Sequence, residues 1–229
     1  GTRCGAGPAT VRWRLRWRLR TPAGGGGGAG FRGAPALKHQ NPTVWGGGAY
    51  PPPLDRVDVL VNNAGGAKGM APVAEADLDD WRWMWETNVL GTLRLTKALL
   101  PKLIASGDSL IVTITSIAAF HAYPNGSGYT SAKHAQAVLH RTLRDELLGQ
   151  PVRLTEIAPG AVETEFSLVR FDGDAERAAK VYEGIDPLYA QDIAEIVGFV
   201  ASRPPHVNLD TIVVKPRDQA GPGSFARRS

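Results

Sequence analysis

Cysteine is almost absent from this sequence, and its scarcity excludes two kinds of structure. The single cysteine, Cys4, cannot form an internal disulfide and offers no basis for a cysteine metal site. We therefore expect no bound metal, and a reducing, cytoplasmic location fits this composition.

Long apolar runs are also missing. No run approaches the roughly 18 residues needed to cross a bilayer, and the N-terminus lacks the charged-then-apolar order of a secretory signal. The sequence therefore predicts a soluble protein with no membrane partner. Its hydrophobic content of 43% is enough for one substantial core, so one α/β domain is the expected organisation.

Acidic residues are absent from residues 1–54, which hold 8 of the 26 Lys and Arg residues. The rest of the chain carries 18 basic and 22 acidic residues. The same first stretch holds 13 of the 27 glycines and 7 of the 17 prolines. We therefore divide the chain into an atypical, disordered or poorly folded segment, residues 1–54, and a folded domain, residues 55–229.

Within the first segment, residues 12–20 alternate Arg with Trp or Leu. Such a basic, aromatic arm could bind nucleic acid or an anionic membrane surface, because Arg neutralises phosphates and Trp can stack. The surrounding glycine and proline runs favour the simpler interpretation, a segment without a selected role.

From Arg56 onward, strand and helix patterns alternate, which is typical of βαβ units and a mostly parallel sheet. Predicted strands cover residues 57–61, 110–115, 152–157 and 211–214, the first being a short apolar run of the kind buried on both faces. Predicted helices cover residues 78–105, 129–148, 175–183 and 191–201, the first of them bent near Pro101. The predicted fold is a doubly wound, Rossmann-like α/β domain whose first βαβ units are missing or degenerate.

Tyr129 and Lys133 are the first candidates for chemistry. Four residues apart on a helix, they share one face. A nearby cation favours the phenolate and lowers the tyrosine pKa, so Lys133 is expected to make Tyr129 a usable acid and base. Ser116 follows a buried strand, where open α/β sheets bind ligands, and could hold a substrate oxygen. Asn88 lies inside a helix, an unfavourable place for asparagine unless its amide has a partner.

Taken singly, each of these residues has an ordinary structural explanation. Together they resemble the short-chain dehydrogenase/reductase family over residues 55–220. Asn88, Ser116, Tyr129 and Lys133 follow the order and spacing of its catalytic tetrad. Two further segments resemble its cofactor-binding motifs: the Asn-Asn-Ala-Gly turn with Asn62, Ala64 and Gly65, and the Pro-Gly-x-x-x-Thr segment with Pro159, Gly160 and Thr164.

This resemblance implies a mechanism. Hydride passes between a nicotinamide and the substrate carbon while Tyr129 gives or takes the proton of the substrate oxygen. Ser116 positions that oxygen, Lys133 holds the nicotinamide ribose, and Asn88 anchors a water linked to Lys133. Thr164 contacts the nicotinamide carboxamide. The family also implies a homodimer or homotetramer.

A narrower resemblance concerns residues 163–174, 205–208 and Thr211. These are similar to the NADP-dependent 3-hydroxy acid dehydrogenases that oxidise L-allo-threonine, serine and related acids, which favours NADP(H) over NAD(H) as cofactor. Such substrates carry a carboxylate, which a guanidinium binds with paired donors. Arg170 is therefore a candidate substrate contact, with a surface arginine as the alternative.

The family's glycine-rich pyrophosphate loop has one counterpart here, at the start of the chain. Gly1, Gly5 and Gly7 fit its glycine spacing, but no strand precedes them. We expect residues 1–54 to be a truncated or frame-shifted replacement for the first βαβ units.

The predicted function is hydride transfer between NADP(H) and a small 3-hydroxy acid or its carbonyl counterpart. Two alternatives stay open: a catalytically silent remnant with a broken dinucleotide site, and a protein whose basic N-terminal arm binds nucleic acid.

Overall fold

The computed structural model describes residues 55–228. The expectations for the atypical segment lie outside the described residues. They include the glycine loop of Gly1, Gly5 and Gly7, the basic arm, and the missing or degenerate first βαβ units.

The described residues form a parallel sheet flanked by helices. The strands are β1 (Val59–Asn62), β2 (Ser109–Ile114), β3 (Val152–Pro159), β4 (Val162–Glu163), β5 (Leu188–Tyr189), β6 (Thr211–Val214), β7 (Gln219–Gly221) and β8 (Ser224–Phe225). The helices are α1 (Leu78–Trp85), α2 (Gly91–Ala105), α3 (Ser127–Glu146), α4 (Phe166–Arg170), α5 (Ala175–Lys180) and α6 (Ala190–Ala201), with 3₁₀ turns at Val73–Glu75 and Ile117–Ala119.

The main sheet has four strands in the order β1-β2-β3-β6, and every pair is parallel. Each crossover from one parallel strand to the next contains a helix, as parallel pairing requires. Two short pairs, β4 with β5 and β7 with β8, lie outside this sheet and were not predicted.

Helices cover both faces of the sheet, which confirms the doubly wound α/β prediction. On one face Leu103 of α2 packs with Leu60, Ile111 and Leu154 of the strands. On the other face Val200 of α6 packs against the strand residues Leu110, Val112 and Ile157. Truncating a fully buried leucine such as Leu154 to alanine would cost about 2 to 5 kcal/mol of stability.

The prediction that the first strand is buried on both faces is wrong. Leu60 is buried, but Val59 and Val61 are 39% and 38% exposed. They lie on the same sheet face as Leu110 and Val112, their partners in register. Helix α6 packs on the neighbouring strands of that face, and among the described residues no buried cluster includes Val59 or Val61.

The predicted single helix over residues 78–105 is interrupted ahead of Pro101. Asp77 caps α1 by accepting hydrogen bonds from the backbone N–H groups of Asp79 and Asp80. A wider π-helical turn, Glu86–Leu90, then separates α1 from α2, and Pro101 lies inside α2. Such turns are frequent at functional sites, and this one carries Asn88.

Helix ends otherwise differ from the prediction by a few residues, and β6 matches it fully. Helix α3 begins at Ser127, and Gly149 follows its end with a φ of 86°, a conformation that favours glycine. None of the helices in the described residues is long and apolar enough to cross a membrane.

Candidate active site

Ser116 lies just beyond β2, at the carboxyl edge of the sheet. Its backbone is extended, and its hydroxyl caps the 3₁₀ turn by accepting a hydrogen bond from the N–H of Ala118 at 3.1 Å. The same hydroxyl is 3.4 Å from the carbonyl oxygen of Pro159, at the end of β3. The ends of two neighbouring parallel strands therefore fix its position.

Tyr129 and Lys133 lie one turn apart on α3, as predicted. The Lys133 Nζ is 5.9 Å from the centroid of the Tyr129 ring, and both residues are buried. The Tyr129 ring packs edge-on against Phe166 at 5.5 Å between centroids. The Ser116 side chain is close enough to Tyr129 to act on its pKa, which it lowers. The structure thus brings three of the four predicted catalytic side chains together.

The expected lowering of the Tyr129 pKa is wrong for this structure. Burial raises the pKa of Tyr129 to about 12, and the nearby Tyr123 also raises it. The Arg170 charge and the Ser116 hydrogen bond oppose this increase. Desolvation of the phenolate exceeds these contributions, so the phenol is the favoured form at neutral pH.

Lys133 is itself strongly affected by burial, which lowers its pKa to about 7, against the opposing effect of Glu156. Its Nζ donates to the carbonyl oxygen of Ile114 at 3.2 Å and to Oε1 of Gln136 at 2.8 Å. An ammonium has three donors, so these two contacts leave one for the cleft.

Asn88, the fourth tetrad residue, is fully buried and has the amide partners that its helical position requires. Its Nδ2 donates to the carbonyl oxygens of Gly66 and Met84, at 2.9 and 2.7 Å. Its Oδ1 accepts from the Gly66 N–H at 3.2 Å. Asn88 therefore joins the π-helical turn to the segment that follows β1.

Arg170 ends α4 and stacks on the aromatic wall of the site. Its guanidinium carbon is 4.9 Å from the ring centroids of both Tyr129 and Phe166. Its Nε is buried and has no hydrogen-bond partner among the described residues. Arg170 and Tyr129 line a pocket that also includes Lys68 and Asp80. A buried unpaired N–H is costly, so this group is suited to an acceptor supplied by a ligand.

Two contacts hold the α4 end against the segment after β1. The Gly69 N–H donates to the Arg170 carbonyl oxygen at 3.0 Å. Lys68 forms an ion pair with Asp172, and its Nζ also lies 5.9 Å from the Trp83 ring centroid. The pocket wall beside Arg170 is therefore built from two segments distant in sequence.

The predicted cofactor-binding residues occupy two places along the carboxyl edge of the main sheet. Near the tetrad, a Cβ on Gly65 would lie 2.5 Å from Asn88 Oδ1 and 3.5 Å from Lys133 Nζ. Only glycine therefore leaves room beside the ammonium, which fits a group bound there. Asn62 supports the sheet through a hydrogen bond from its Nδ2 to Thr96 Oγ1 at 3.0 Å, and Ala64 is exposed.

The Pro-Gly-x-x-x-Thr segment is less tightly joined to the tetrad. Pro159 contacts Ser116 through its carbonyl oxygen. A Cβ on Gly160 would lie 2.2 Å from Gln219 Oε1, so packing against Gln219 accounts for this glycine. Thr164 is exposed, and its hydroxyl accepts from the Phe166 N–H at 3.2 Å. The residues that would hold a nicotinamide group are therefore those near Lys133 and the exposed Thr164.

Three buried polar residues that support the site were not predicted. Gln136 and Thr92 connect Lys133 to the Asn88 turn, and Glu156 lies fully buried in β3. The sequence signal for Glu156 was an acid inside an apolar strand. The signal for Gln136 was its place three residues after Lys133, on the same helix face.

Acidic, histidine and cysteine side chains form no cluster suited to a metal ion in residues 55–228. The expectation of a metal-free site stays a prediction.

Comparison with known proteins places these residues in a family. The model of the short chain dehydrogenase family matches residues 52–173. An uncharacterized oxidoreductase of Mycobacterium tuberculosis is 75% identical over 163 residues, which are 71% of this chain and 64% of the relative. The chain thus spans less than two thirds of that relative's length. Serine 3-dehydrogenase of Agrobacterium fabrum is 40% identical over 76% of this chain and 70% of its own.

Solved structures of related enzymes support the same family. A closed form of serine dehydrogenase complexed with NADP+ has a TM-score of 0.71 and 38% identity, over 76% of this chain and 71% of that one. Serine dehydrogenase from Escherichia coli has a TM-score of 0.59 and 32% identity, over 72% and 66% of the two chains. The family model covers more than half of the chain. The chain therefore belongs to the short chain dehydrogenase family.

Proposed function

We propose that this protein transfers hydride between NADP(H) and a small 3-hydroxy acid, such as serine, or the matching carbonyl compound. The observation that carries the proposal is the position of Tyr129, which lines one pocket with Arg170 and interacts with the Ser116 side chain. In this arrangement Tyr129 would act as the acid and base, Ser116 would position the substrate oxygen, and Arg170 would bind the substrate carboxylate. Relatives named serine 3-dehydrogenase and NADP-dependent 3-hydroxy acid dehydrogenase support the substrate class and the cofactor.

In this proposal one side chain transfers a proton, and others orient the substrate and the cofactor. The cofactor supplies or accepts the hydride. In the reducing direction Tyr129, protonated at neutral pH, gives its proton to the carbonyl oxygen, and in the oxidising direction the phenolate takes the hydroxyl proton. Ser116 holds the reacting oxygen beside the phenol. Lys133 faces the cofactor with its remaining N–H and is held from behind by Ile114 and Gln136.

Arg170 is proposed to bind the substrate carboxylate. Its stacking on Tyr129 and Phe166 fixes the guanidinium plane, and its unpaired Nε offers a donor to an anion. Because the same cation contacts the Tyr129 ring, a carboxylate on Arg170 would place its hydroxyl group near the phenol.

Direct binding and turnover measurements test the proposal. NADPH should show saturable binding when its fluorescence is followed, and NADP+ should be reduced when serine is added. Tyr129→Phe should keep NADPH binding and lose turnover. A chain that binds neither NADPH nor NADP+ would be a catalytically silent remnant, and the proposal would be wrong.

We also propose a homodimer or homotetramer, since apolar side chains stay exposed on α3 and at the start of α2. Leu90 and Leu93 are 36% and 41% exposed, and Val138 is 58% exposed. Sedimentation velocity of the full chain tests this, and a monomer at micromolar concentration would contradict it.

A further inference from the structure

Gln136 is a fully buried amide in the interior of α3, in contact with a residue of the tetrad. Burying a primary amide is unfavourable unless its oxygen and nitrogen are both hydrogen-bonded. Here Oε1 accepts from Lys133 Nζ at 2.8 Å, and Nε2 donates to Thr92 Oγ1 at 2.9 Å. Both ends of the side chain are therefore engaged, and neither reaches the substrate pocket.

Donor and acceptor chemistry fixes which way this amide points. Lys133 Nζ donates to the amide oxygen, and in its ammonium form it has only donors. The hydroxyl hydrogen of Thr92 is already directed at the Asn88 carbonyl oxygen, at 2.8 Å, so Thr92 must accept from the amide nitrogen. The result is a continuous chain of hydrogen bonds from Lys133 through Gln136 and Thr92 to Asn88.

We propose that Gln136 is a positioning residue for Lys133: it holds the ammonium and ties it, through Thr92, to the π-helical turn that carries Asn88. The proposal rests on the proposed function, in which Lys133 serves the cofactor and Tyr129. Gln136 and the Ile114 carbonyl together engage two of the three ammonium hydrogens. Beside this ammonium, a Cβ on Gly65 would lie 3.5 Å from Nζ.

The same contact affects the charge of Lys133. Burial favours the neutral amine, and the acceptors around Nζ favour the ammonium. Two ionisable groups lie near it: Glu156 from β3, which raises the Lys133 pKa, and Tyr129 from α3 itself. Removing the Gln136 oxygen should therefore lower the Lys133 pKa, and replacing the amide with a carboxylate should raise it.

The test is the titration of Lys133 in the full chain, followed by NMR of ¹³Cε-labelled lysine and assigned with Lys133→Met. Gln136→Met should lower the Lys133 pKa by about one unit, and Gln136→Glu should raise it. Thr92→Val should lower it by less, because the amide oxygen remains but its support is lost. His140→Met is the matched control, since His140 is buried on the same helix and bonds Thr113 instead. It should leave the Lys133 pKa unchanged.

An unchanged Lys133 pKa in folded Gln136→Met would overturn the proposal. If Gln136→Met does not fold, Gln136→Glu provides the test. A Lys133 pKa that does not rise in Gln136→Glu would also overturn the proposal. These measurements need no turnover. A chain that neither binds NADPH nor oxidises serine, yet shows the expected changes, would uphold the Gln136 contact and refute only the proposed function.

Turnover adds a second measurement. Gln136→Met should lower kcat about tenfold with little change in the KM for serine, because Gln136 does not line the substrate pocket. A rise in KM with unchanged kcat would contradict a role through Lys133.

Discussion

The guanidinium of Arg170 lies 4.9 Å from the ring centroid of Tyr129, so one cation faces both the proposed acid/base and the substrate pocket. Its charge partly opposes the raised pKa of the buried phenol. In the proposed function, Arg170 would therefore couple substrate binding to proton transfer, because a carboxylate that pairs with the guanidinium would reduce the charge that Tyr129 experiences.

Replacing Arg170 tests its proposed role in substrate binding. Arg170→Met should raise the KM for serine about 10- to 100-fold, since the carboxylate loses a charged hydrogen-bond donor. Turnover of an uncharged secondary alcohol should change much less. Arg177→Met is the matched control, because Arg177 stacks on Phe171 at 4.4 Å and does not line the pocket. An unchanged KM for serine in Arg170→Met would remove the assignment.

Tyr129→Phe separates chemistry from binding. It removes the hydroxyl while keeping the ring against Phe166, so kcat should fall about 10²- to 10⁴-fold with NADPH affinity nearly unchanged. Steady-state kinetics and fluorescence titration measure the two effects. Tyr189→Phe, at a 55% exposed tyrosine, controls for loss of a phenol elsewhere and should be neutral. Full activity of Tyr129→Phe would exclude Tyr129 as the acid/base.

The two reaction directions should differ in their dependence on pH. Because burial raises the Tyr129 pKa to about 12, the phenolate needed for oxidation is scarce at pH 7 and becomes about tenfold more abundant with each pH unit below 12. The kcat/KM for serine oxidation should therefore rise from pH 7 to 10. Carbonyl reduction uses the phenol, so Tyr129 should impose no loss over that range. Parallel profiles in both directions would contradict this assignment.

The fold of residues 55–228 was largely predictable because strand and helix patterns alternate clearly. Strand β6 was predicted to the residue, since a β-branched run bounded by polar residues leaves little choice. The exposure of Val59 and Val61 was not predictable, because an apolar run does not reveal which neighbours cover each face. The π-helical turn was likewise hidden, since weak helix formers such as Asn88 do not reveal a change in the spacing of the backbone hydrogen bonds.

Spacing predicted that Tyr129 and Lys133 share one helix face, but it did not predict their electrostatics. The catalytic role of the tetrad stays a prediction. Tyr129 and Lys133 were expected to form a simple pair in which the cation lowers the phenol pKa. In the structure both are buried, and desolvation acts on each in the direction that disfavours its charge. The network behind Lys133 depends on Gln136 meeting Thr92 across 44 residues of sequence, which no local pattern encodes.

His140 should make the protein sensitive to acid. It is buried, its Nδ1 lies 2.9 Å from Thr113 Oγ1, and burial lowers its pKa to about 4, with a further contribution from Arg141. Between pH 6.5 and 4 the unfolded chain binds a proton at this position and the folded chain does not, so stability falls as pH decreases through that range. The loss is on the order of 2 to 3 kcal/mol.

Urea unfolding at pH 7 and pH 4.5 measures this effect. His140→Gln cannot titrate, so it should lose less stability than the parent protein over the same pH interval. Equal losses in the two proteins would show that other groups account for the acid sensitivity.

Lys133 should affect stability in a higher pH range. Its folded pKa of about 7 lies below the usual 10.5, so at pH 6 both states are protonated and the cost of burying the ammonium is fully present. Between pH 7 and 10.5 the unfolded chain holds more protons than the folded chain, and stability therefore increases with pH. Lys133→Met lacks this contribution. From pH 6.5 to 9.5 the free energy of unfolding of the parent protein should gain roughly 3 kcal/mol relative to Lys133→Met, as measured by urea unfolding of both proteins. A difference that stays constant over this interval would mean that the buried ammonium keeps an ordinary lysine pKa, and the hydrogen bonds from Lys133 to Gln136 and Ile114 would then compensate for its burial more fully than we infer.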